Sequence, residues 1–382
     1  MQYLTNTSEL TAVADAIREK GGTSAPLTYP FGYVSAIQDI QTGGDIDALI
    51  DRTISGVYEN STVRTIGGNA FNGCKGLTSV SFPACEAIGS LAFFGCSNLT
   101  GVSFQACETI GDSAFPYCYS LTSVSFPVCT SIGSGAFSGC INLTSAIFPA
   151  CETIGNGAFS GCSSLTGVSF PACKTISQRA FLNCSILTSG SFPACETIGN
   201  SAFSGCSNLT GVSFQACTSI GIGAFSGCIN LTSVSFPACE AIGGNAFYGC
   251  INLTSVSFPA CTSIDGTAFV YCSGLTSVSF PVCTSIGIGA FSGCSSLTGV
   301  SFPACTSIGS SAFTNCVQLI SIYLMNNSRV TLRQSNAFAG TPIGGYSTVA
   351  GQYGSIYVPA SLLTAYQAAT NWTYYSSRFV GV

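Results

Sequence analysis

Cysteine is the residue type in this sequence with the greatest capacity for chemistry, and its spacing is regular. All 23 cysteines fall on one progression that runs from Cys74 to Cys316 in steps of 11 residues. Cysteine thiolates act as nucleophiles, as metal ligands and as disulfide partners. The regular cysteines could therefore serve catalysis, metal binding or disulfide formation.

Nucleophilic catalysis and metal binding both need partner residues that this sequence lacks. The chain has no His, so Cys–His and Ser–His pairs for nucleophilic catalysis are excluded. Zinc sites use clustered ligands, typically CxxC pairs or His, and the sequence has no CxxC. The sequence therefore predicts no catalytic residue, no metal and no cofactor, and the protein is expected to be non-enzymatic.

Disulfides are geometrically conceivable, because stacked cysteines about 5 Å apart fall within the usual Cα range. The odd count, the unbroken column and the absence of a signal-peptide pattern over residues 1–22 argue against them. We expect two columns of reduced, buried thiols that act as small hydrophobic groups. One column should also satisfy backbone groups, and it comprises Cys85, Cys107, Cys129, Cys151, Cys173, Cys195, Cys217, Cys239, Cys261, Cys283 and Cys305.

The spacing of the cysteines follows from a repeat of 22 residues. The cysteines alternate between two contexts, AF-x-x-C and F-P-A-C or a close variant. Within Leu121–Cys129, Val124 and Phe126 alternate with Ser123 and Ser125, which predicts a short strand with its apolar side inward. Pro follows nine of the eleven such strands and, lacking an N–H, should limit each to about three paired residues. A fixed period with regular Leu is typical of a leucine-rich-repeat solenoid.

The predicted fold is thus a leucine-rich-repeat solenoid of short parallel strands in about twelve 22-residue coils, with a small N-terminal helical module and a C-terminal strand-helix cap. Residues 1–44 are predicted to be a helical anchoring module with its linker, residues 45–328 the solenoid, and residues 329–382 the cap. At the end of the repeats, Asn327 occupies the cysteine position and is expected to bond backbone groups in its place.

Composition excludes two classes of partner. Charged residues are 7% of the chain, the net charge is −5, and there is no basic stripe for phosphate contacts, so nucleic acid is not expected to bind. No run of 18 apolar residues occurs, so no membrane span is expected.

The outer surface offers two candidate contact regions. Thr122, Ser123 and Ser125 recur in nearly every coil and predict a hydroxyl-rich sheet face. In a separate outer column, directly after the strand cysteines, Glu152, Lys174 and Glu196 of adjacent coils could pair across rows. Large apolar side chains replace small or polar residues at other positions, and exposed groups of this kind often mark contact sites. This candidate partner-binding surface comprises Phe94, Tyr117, Tyr119, Leu182, Ile222, Tyr248, Val270, Tyr271 and Ile288.

The LxxVxFPxC and IG-x-x-AF-x-x-C pattern resembles the BspA-like leucine-rich repeats of bacteria, over roughly residues 52–382. That resemblance implies a surface or adhesin-type binding module. The segment SELTAVADAIREKGG is similar to a short module of phage tail-associated proteins, and IYVPASLLTAYQAATNW to a cap found in gut Firmicutes and their phages. Together they imply a phage tail or virion surface protein.

The resemblance leads to specific expectations about partners and location. Residues 1–44 would join virion or tail components, and the solenoid would contact a host surface protein or glycan. The protein would be found in the virion, made in the bacterial cytoplasm without a signal peptide. The alternatives are a BspA-like adhesin on the bacterial cell surface and a self-assembling structural protein, which would be a homo-oligomer.

Overall fold

The computed structural model describes residues 52–382. The predicted helical module at residues 1–44 lies outside the described residues. From residue 52 onward the chain winds into a stack of coils, each of which contributes a strand to two parallel sheets. The predicted leucine-rich-repeat solenoid is confirmed. Among residues 52–382, no helix is long and apolar enough to cross a lipid bilayer.

The first sheet, here called the serine sheet, carries the strands predicted from the Ser–Val–Ser alternation. Hydrogen bonds divide it into runs of three, eight and four parallel strands. Most of its strands have three residues, as expected from the Pro that follows. Its strands are Ser55–Glu59, Gly76–Ser81, Gly101–Ser103, Ser123–Ser125, Ser145–Ile147, Gly167–Ser169, Ser189–Ser191, Gly211–Ser213, Ser233–Ser235, Ser255–Ser257, Ser277–Ser279, Gly299–Ser301, Ser321–Tyr323, Ser355–Val358 and Phe379–Gly381.

The second sheet, here called the isoleucine sheet, was not predicted from the sequence. It is one continuous run of 13 strands of two residues each. Its last strand, Thr331–Leu332, belongs to the coil of the thirteenth Ala-Phe pair, Ala337-Phe338, one coil beyond the twelve that end at Ala312-Phe313. Its strands are Thr65–Ile66, Ala87–Ile88, Thr109–Ile110, Ser131–Ile132, Thr153–Ile154, Thr175–Ile176, Thr197–Ile198, Ser219–Ile220, Ala241–Ile242, Ser263–Ile264, Ser285–Ile286, Ser307–Ile308 and Thr331–Leu332.

The core lies between the two sheets and consists of columns of identical side chains. Residues 22 apart pair directly in both sheets, as Val234 pairs with Val256 and Ile264 with Ile286. Each side chain therefore packs on its own copy in the next coil. The Phe of the Ala-Phe pair stacks at ring-centroid distances from 4.8 to 5.4 Å along one column. The Phe of the serine sheet stacks at 5.3 to 6.1 Å along a second.

The C-terminal cap covers the last coil with aromatic side chains. After the strand Ser355–Val358, a 3₁₀ turn at Ala360–Leu362 leads into the short helix α1 at Leu363–Gln367, and a second 3₁₀ segment spans Trp372–Arg378. This confirms the predicted strand and short helix. The Phe column of the Ala-Phe pairs ends on the cap, where Phe338 meets Tyr375 edge-to-face at 5.4 Å.

The cap also binds the backbone groups that the last coil leaves unpaired. Trp372 Nε1 donates to the carbonyl of Val330 at 2.8 Å, and the N–H of Val330 donates to the Tyr366 hydroxyl at 2.8 Å. Asn371 Nδ2 donates to the carbonyl of Leu332 at 2.9 Å. Side chains thus replace the next coil, so that the exposed edge of the isoleucine sheet is closed.

The expectation for Asn327 was wrong. Asn327 is exposed, and it is Asn326 whose Nδ2 donates to the carbonyls of Ala304 and Cys305 in the preceding coil, at 3.2 and 3.0 Å. Ser301 pairs with Tyr323, 22 residues later, but Ser307 pairs with Thr331, 24 residues later, so the 22-residue count no longer assigns positions in this segment.

Truncation of one stacked ring should destabilise the protein strongly. Phe170 is fully buried and stacks on Phe148 and Phe192. We expect Phe170→Ala to lower the free energy of unfolding by about 3–5 kcal/mol, because it removes a large apolar group and leaves a cavity that rigid neighbours fill poorly. Urea denaturation followed by circular dichroism measures the change.

The matched control is Ser257→Ala on the exposed side of the serine sheet, for which we expect a change within about 0.5 kcal/mol. Equal effects of the two substitutions would contradict a core built on ring stacking.

Candidate functional site

The cysteines form two inner columns, and all 23 are free and buried. In the serine-sheet column each Sγ donates to the carbonyl two residues further on, at 3.1 to 3.4 Å, as Cys129 does to Ser131. In the Ala-Phe column each Sγ from Cys96 onward donates to a Phe carbonyl of the preceding coil, at 3.0 to 3.2 Å, as Cys140 does to Phe115. Both columns therefore bond backbone groups, whereas the sequence predicted this of only one.

These thiols are held in the protonated form. Burial raises the pKa of Cys129 to about 11 and that of Cys140 to about 12. For Cys162 the neighbouring thiols of Cys184 and Cys140 add to the effect of burial, so its pKa lies well above the usual value. A protonated thiol is a poor nucleophile and a poor metal ligand. Within residues 52–382, no cluster of His, Cys, Asp or Glu has the geometry to hold a metal ion.

Charged side chains pair along one outer column next to the serine-sheet cysteines. Lys174 Nζ lies 2.8 Å from Glu152 Oε2, and Arg64 pairs with Glu86 in the same way. The hydrogen bond and charge of Glu152, with a smaller contribution from Glu196, raise the pKa of Lys174. The pairing predicted for Glu152 and Lys174 is confirmed. The pairs are exposed, so they contribute little to stability.

The hydroxyl-rich face is partly occupied by its own backbone. Eight Thr side chains at the position of Thr122 donate Oγ1 to the carbonyl of the Thr one coil earlier, at 2.9 to 3.3 Å, as Thr144 does to Thr122. These hydroxyl protons are not available to a ligand. The outward Ser residues, such as Ser123 and Ser125, are exposed beside them.

The large side chains around the Ala-Phe turn form an exposed row, here called the turn ridge. Tyr117, Tyr119, Tyr248 and Tyr271 are exposed, with 44% of Tyr117 and 55% of Tyr271 accessible. Phe94 and Leu182 are half-buried. Val270 was predicted to contact a partner, but only 8% of it is exposed, so it cannot do so.

Ile222 and Ile288 belong to a different column of the coil. Both are well exposed, two residues after the end of a strand of the isoleucine sheet. Ile222 lines a shallow hollow of about 400 Å³ and Ile288 one of about 430 Å³. Of the nine predicted contact residues, the structure therefore places six on the turn ridge and two at these isolated positions, and it buries Val270.

Three ridge residues were missed by the sequence reasoning. Ile141, Ile229 and Ile251 occupy the position of Tyr119, directly after the Ala-Phe cysteine, and all three are exposed. The signal was present, because most other coils have Ser at that position.

Two tyrosines of the ridge have a positive φ at a position where the other coils have Gly or Asn. At the position before the Ala-Phe cysteine, or before Thr341 in the last coil, thirteen coils have a φ between 58° and 77°. Nine carry Gly and two carry Asn, residues that tolerate this left-handed region, and the remaining two carry Tyr117 and Tyr271. For a bulky residue the conformation costs about 1–2 kcal/mol.

The tyrosine rings are fixed by their neighbours. Tyr117 meets Phe94 edge-to-face at 5.6 Å and 82°, and Tyr271 meets Tyr248 edge-to-face at 5.7 Å and 79°. Each tyrosine ring also covers the backbone of the next coil, where a Cβ added to Gly139 or Gly293 would come within 2.7 Å of it. The rings are thus held in place while one side faces solvent.

Comparison with known families now identifies the repeats. A model described as the BspA type leucine rich repeat region matches residues 51–151, 130–243 and 240–348, in six copies. The chain belongs to the BspA-type leucine-rich-repeat family. Comparison with curated proteins gives no match.

Solved structures share the fold of this BspA-type protein. A leucine-rich repeat protein from Bacteroides ovatus has a TM-score of 0.64 at 24% identity, covering 94% of this chain and 99% of its own. A leucine rich cell surface protein from Faecalibacterium prausnitzii has a TM-score of 0.46 at 23% identity, with coverage of 94% and 99%. The pneumococcal vaccine antigen PcpA has a TM-score of 0.43 at 16% identity, with coverage of 86% and 87%. At these identities the likeness concerns the fold alone.

The buried thiols should make the protein sensitive to alkali. The usual thiol pKa is about 9, and burial raises it in the folded state, so the stabilising effect of the neutral thiols is complete below pH 9. Above it the unfolded chain ionises first, and stability falls by about 1.4 kcal/mol per pH unit for each thiol. Urea midpoints under reducing conditions should change little from pH 7 to 8 and drop steeply from pH 9 to 10.

A triple variant, Cys129→Ala, Cys151→Ala and Cys173→Ala, should show a smaller drop over the same pH range. A urea midpoint that stays flat up to pH 10 would contradict the assignment of neutral, buried thiols.

Proposed function

We propose that this BspA-type protein is a non-enzymatic binding protein of a phage tail or virion, which contacts the host cell surface through the solenoid. The observation that carries the proposal is the turn ridge, where large side chains such as Tyr117 and Tyr271 face solvent on a rigid scaffold. Exposed aromatic groups held in place by their neighbours lose little entropy on binding, so they are suited to contact a partner.

The rest of the described chain supports a binding role. The cysteines are neutral and buried, and two ion pairs, Lys174–Glu152 and Arg64–Glu86, are exposed. Neither arrangement provides a general acid, a general base or an activated nucleophile. The repeats place equivalent side chains at regular intervals along an extended surface, which is the usual basis of recognition by solenoid proteins.

The virion location rests on the resemblance of residues 1–44 to modules of phage tail-associated proteins. In this proposal those residues attach the chain to virion or tail components and leave the solenoid free. The second candidate is an adhesin on the bacterial cell surface, which is favoured by membership of the BspA-type family. In both cases the solenoid provides the contact with a cell-surface protein or glycan.

Deletion of residues 1–44 should separate attachment from binding. We expect the shortened chain to fold, because strands of successive coils pair with one another throughout residues 52–382, and to be absent from purified virions. Immunoblotting of virions from cells that produce the full or the shortened chain measures incorporation. Equal incorporation of both chains would remove the anchoring role.

The purified full chain should also compete with virions for adsorption to host cells. Light scattering of the same preparation serves as the control for self-assembly. Unimpaired adsorption at saturating protein would contradict the host-contact role, and particles that grow with concentration would favour a self-assembling structural protein instead.

A further inference from the structure

The turn ridge carries the same aromatic arrangement twice. Tyr271 follows Tyr117 by 154 residues, which is seven repeats of 22, and Tyr248 follows Phe94 by the same interval. The two ring pairs have nearly the same geometry, at 5.6 Å and 82° and at 5.7 Å and 79°. Both tyrosines have a φ of 59°. The two sites are therefore copies of one structure, separated along the stack by about 34 Å.

Further residues of the two copies match. The residue before each tyrosine, Pro116 or Val270, is apolar and buried, where five other coils have Ser. Asn98 and Asn252, also 154 residues apart, are exposed in the turns of Phe94 and Tyr248. Val270, which was predicted to contact a partner, thus forms part of the buried support of its site.

We propose that these two sites bind one linear, uncharged polysaccharide, which lies along the ridge and contacts both. This inference rests on the proposed function and names the chemical class of the host partner. The first site consists of Phe94, Tyr117 and Asn98, and the second of Tyr248, Tyr271 and Asn252.

The absence of charge around the sites favours a neutral ligand. The turns that surround the first site, residues 92–100, 114–122 and 136–144, contain no Asp, Glu, Lys or Arg, and the same holds for residues 246–254, 268–276 and 290–298 around the second. Protein interfaces are enriched in Arg as well as in aromatic residues, and these turns have none. They offer aromatic rings amid hydroxyl and amide groups instead.

This combination suits a sugar. The C–H groups on one side of a pyranose ring carry a partial positive charge, which is attracted to the negative face of an aromatic ring. The hydroxyls at the rim of the sugar need hydrogen-bond partners, and the exposed Asn amides and Ser hydroxyls of the turns provide them. A fixed ring such as Tyr117 also avoids the entropy cost of ordering a free side chain.

The relation between the two sites favours a polymer. Successive coils pair in register as parallel strands, so the seven steps that separate the two sites are alike and both sites lie along the same columns of the stack. A ligand that contacts both in the same manner must itself repeat by translation, as a linear polysaccharide does. Binding at the second site is then intramolecular, which raises the overall affinity far above that of one site.

The test compares the full chain with Tyr117→Gly, Tyr271→Gly and the double variant. Affinity electrophoresis in native gels uses dextran, pullulan, mannan, laminarin and arabinogalactan as neutral probes, with hyaluronan as a charged one. We expect at least one neutral polysaccharide to retard the full chain. Each single variant should bind that polysaccharide about tenfold more weakly, and the double variant should not be retarded.

Glycine is the native residue at this position in nine coils, so the variants should fold and show an equal or higher melting temperature. Tyr374→Ser, which alters an exposed ring of the cap outside the sites, is the matched control and should bind like the full chain. An oligosaccharide of the same sugar, shorter than about 34 Å, should bind each single variant within about twofold of the full chain.

Four outcomes would overturn the inference: no retardation by any neutral probe, retardation by hyaluronan alone, retardation that persists in the double variant, or single variants that lose as much as the double. The host-contact role is judged separately, by adsorption of the full chain to host cells. If the double variant still competes with virions for adsorption, the proposed function stands and the polysaccharide sites are rejected. If the full chain binds polysaccharide but does not compete with virions for adsorption, the proposed function is rejected and the polysaccharide sites stand.

Discussion

Parallel pairing in register places each side chain of the repeat about 4.8 Å from the side chain at the equivalent position of the next coil. In the core columns the two are usually the same residue type, as with Val234 and Val256. Only residue types that pack well against themselves can fill such a column. Phe satisfies the condition because its rings stack, and Val and Ile satisfy it because their branched side chains pack side by side. Charged residues do not, since two like charges about 4 Å apart repel by about 1 kcal/mol even in water. The low charge content of the chain, 7%, follows from the same constraint.

The polar columns show how the constraint is met where side chains must form hydrogen bonds. Thiols and hydroxyls remain neutral and donate to carbonyls, as Cys140 and Thr144 do. In this way each column supports the backbone of the coil beside it. In the outer column next to the serine-sheet cysteines, opposite charges alternate over three coils at Glu152, Lys174 and Glu196. Repetition thus restricts the chemistry of the interior to dispersion, weak hydrogen bonds and ring stacking.

The repeat itself could be predicted from sequence because a period of 11 in Cys has few physical explanations, and the serine sheet followed from alternation at Val124 and Phe126. The isoleucine sheet could not be predicted in this way, since strands such as Ser131–Ile132 are too short to show a period. Asn326 was missed because an insertion changes the register locally. Val270 was misjudged because its exposure depends on neighbouring side chains. The strained backbone at Tyr117 could be suspected from the sequence, because a Tyr replaces Gly at a repeated position. Only the φ angle showed that the backbone there is left-handed.

The aromatic cap limits how copies of the chain could associate. Because Trp372, Tyr366 and Asn371 occupy the backbone groups that a following coil would use, the C-terminal end offers no template on which another molecule could continue the isoleucine sheet. Fibre growth by end-to-end addition is therefore blocked at that end. Copies that associate through this end must therefore use surfaces other than the edge of the isoleucine sheet, such as the flanks of the coils.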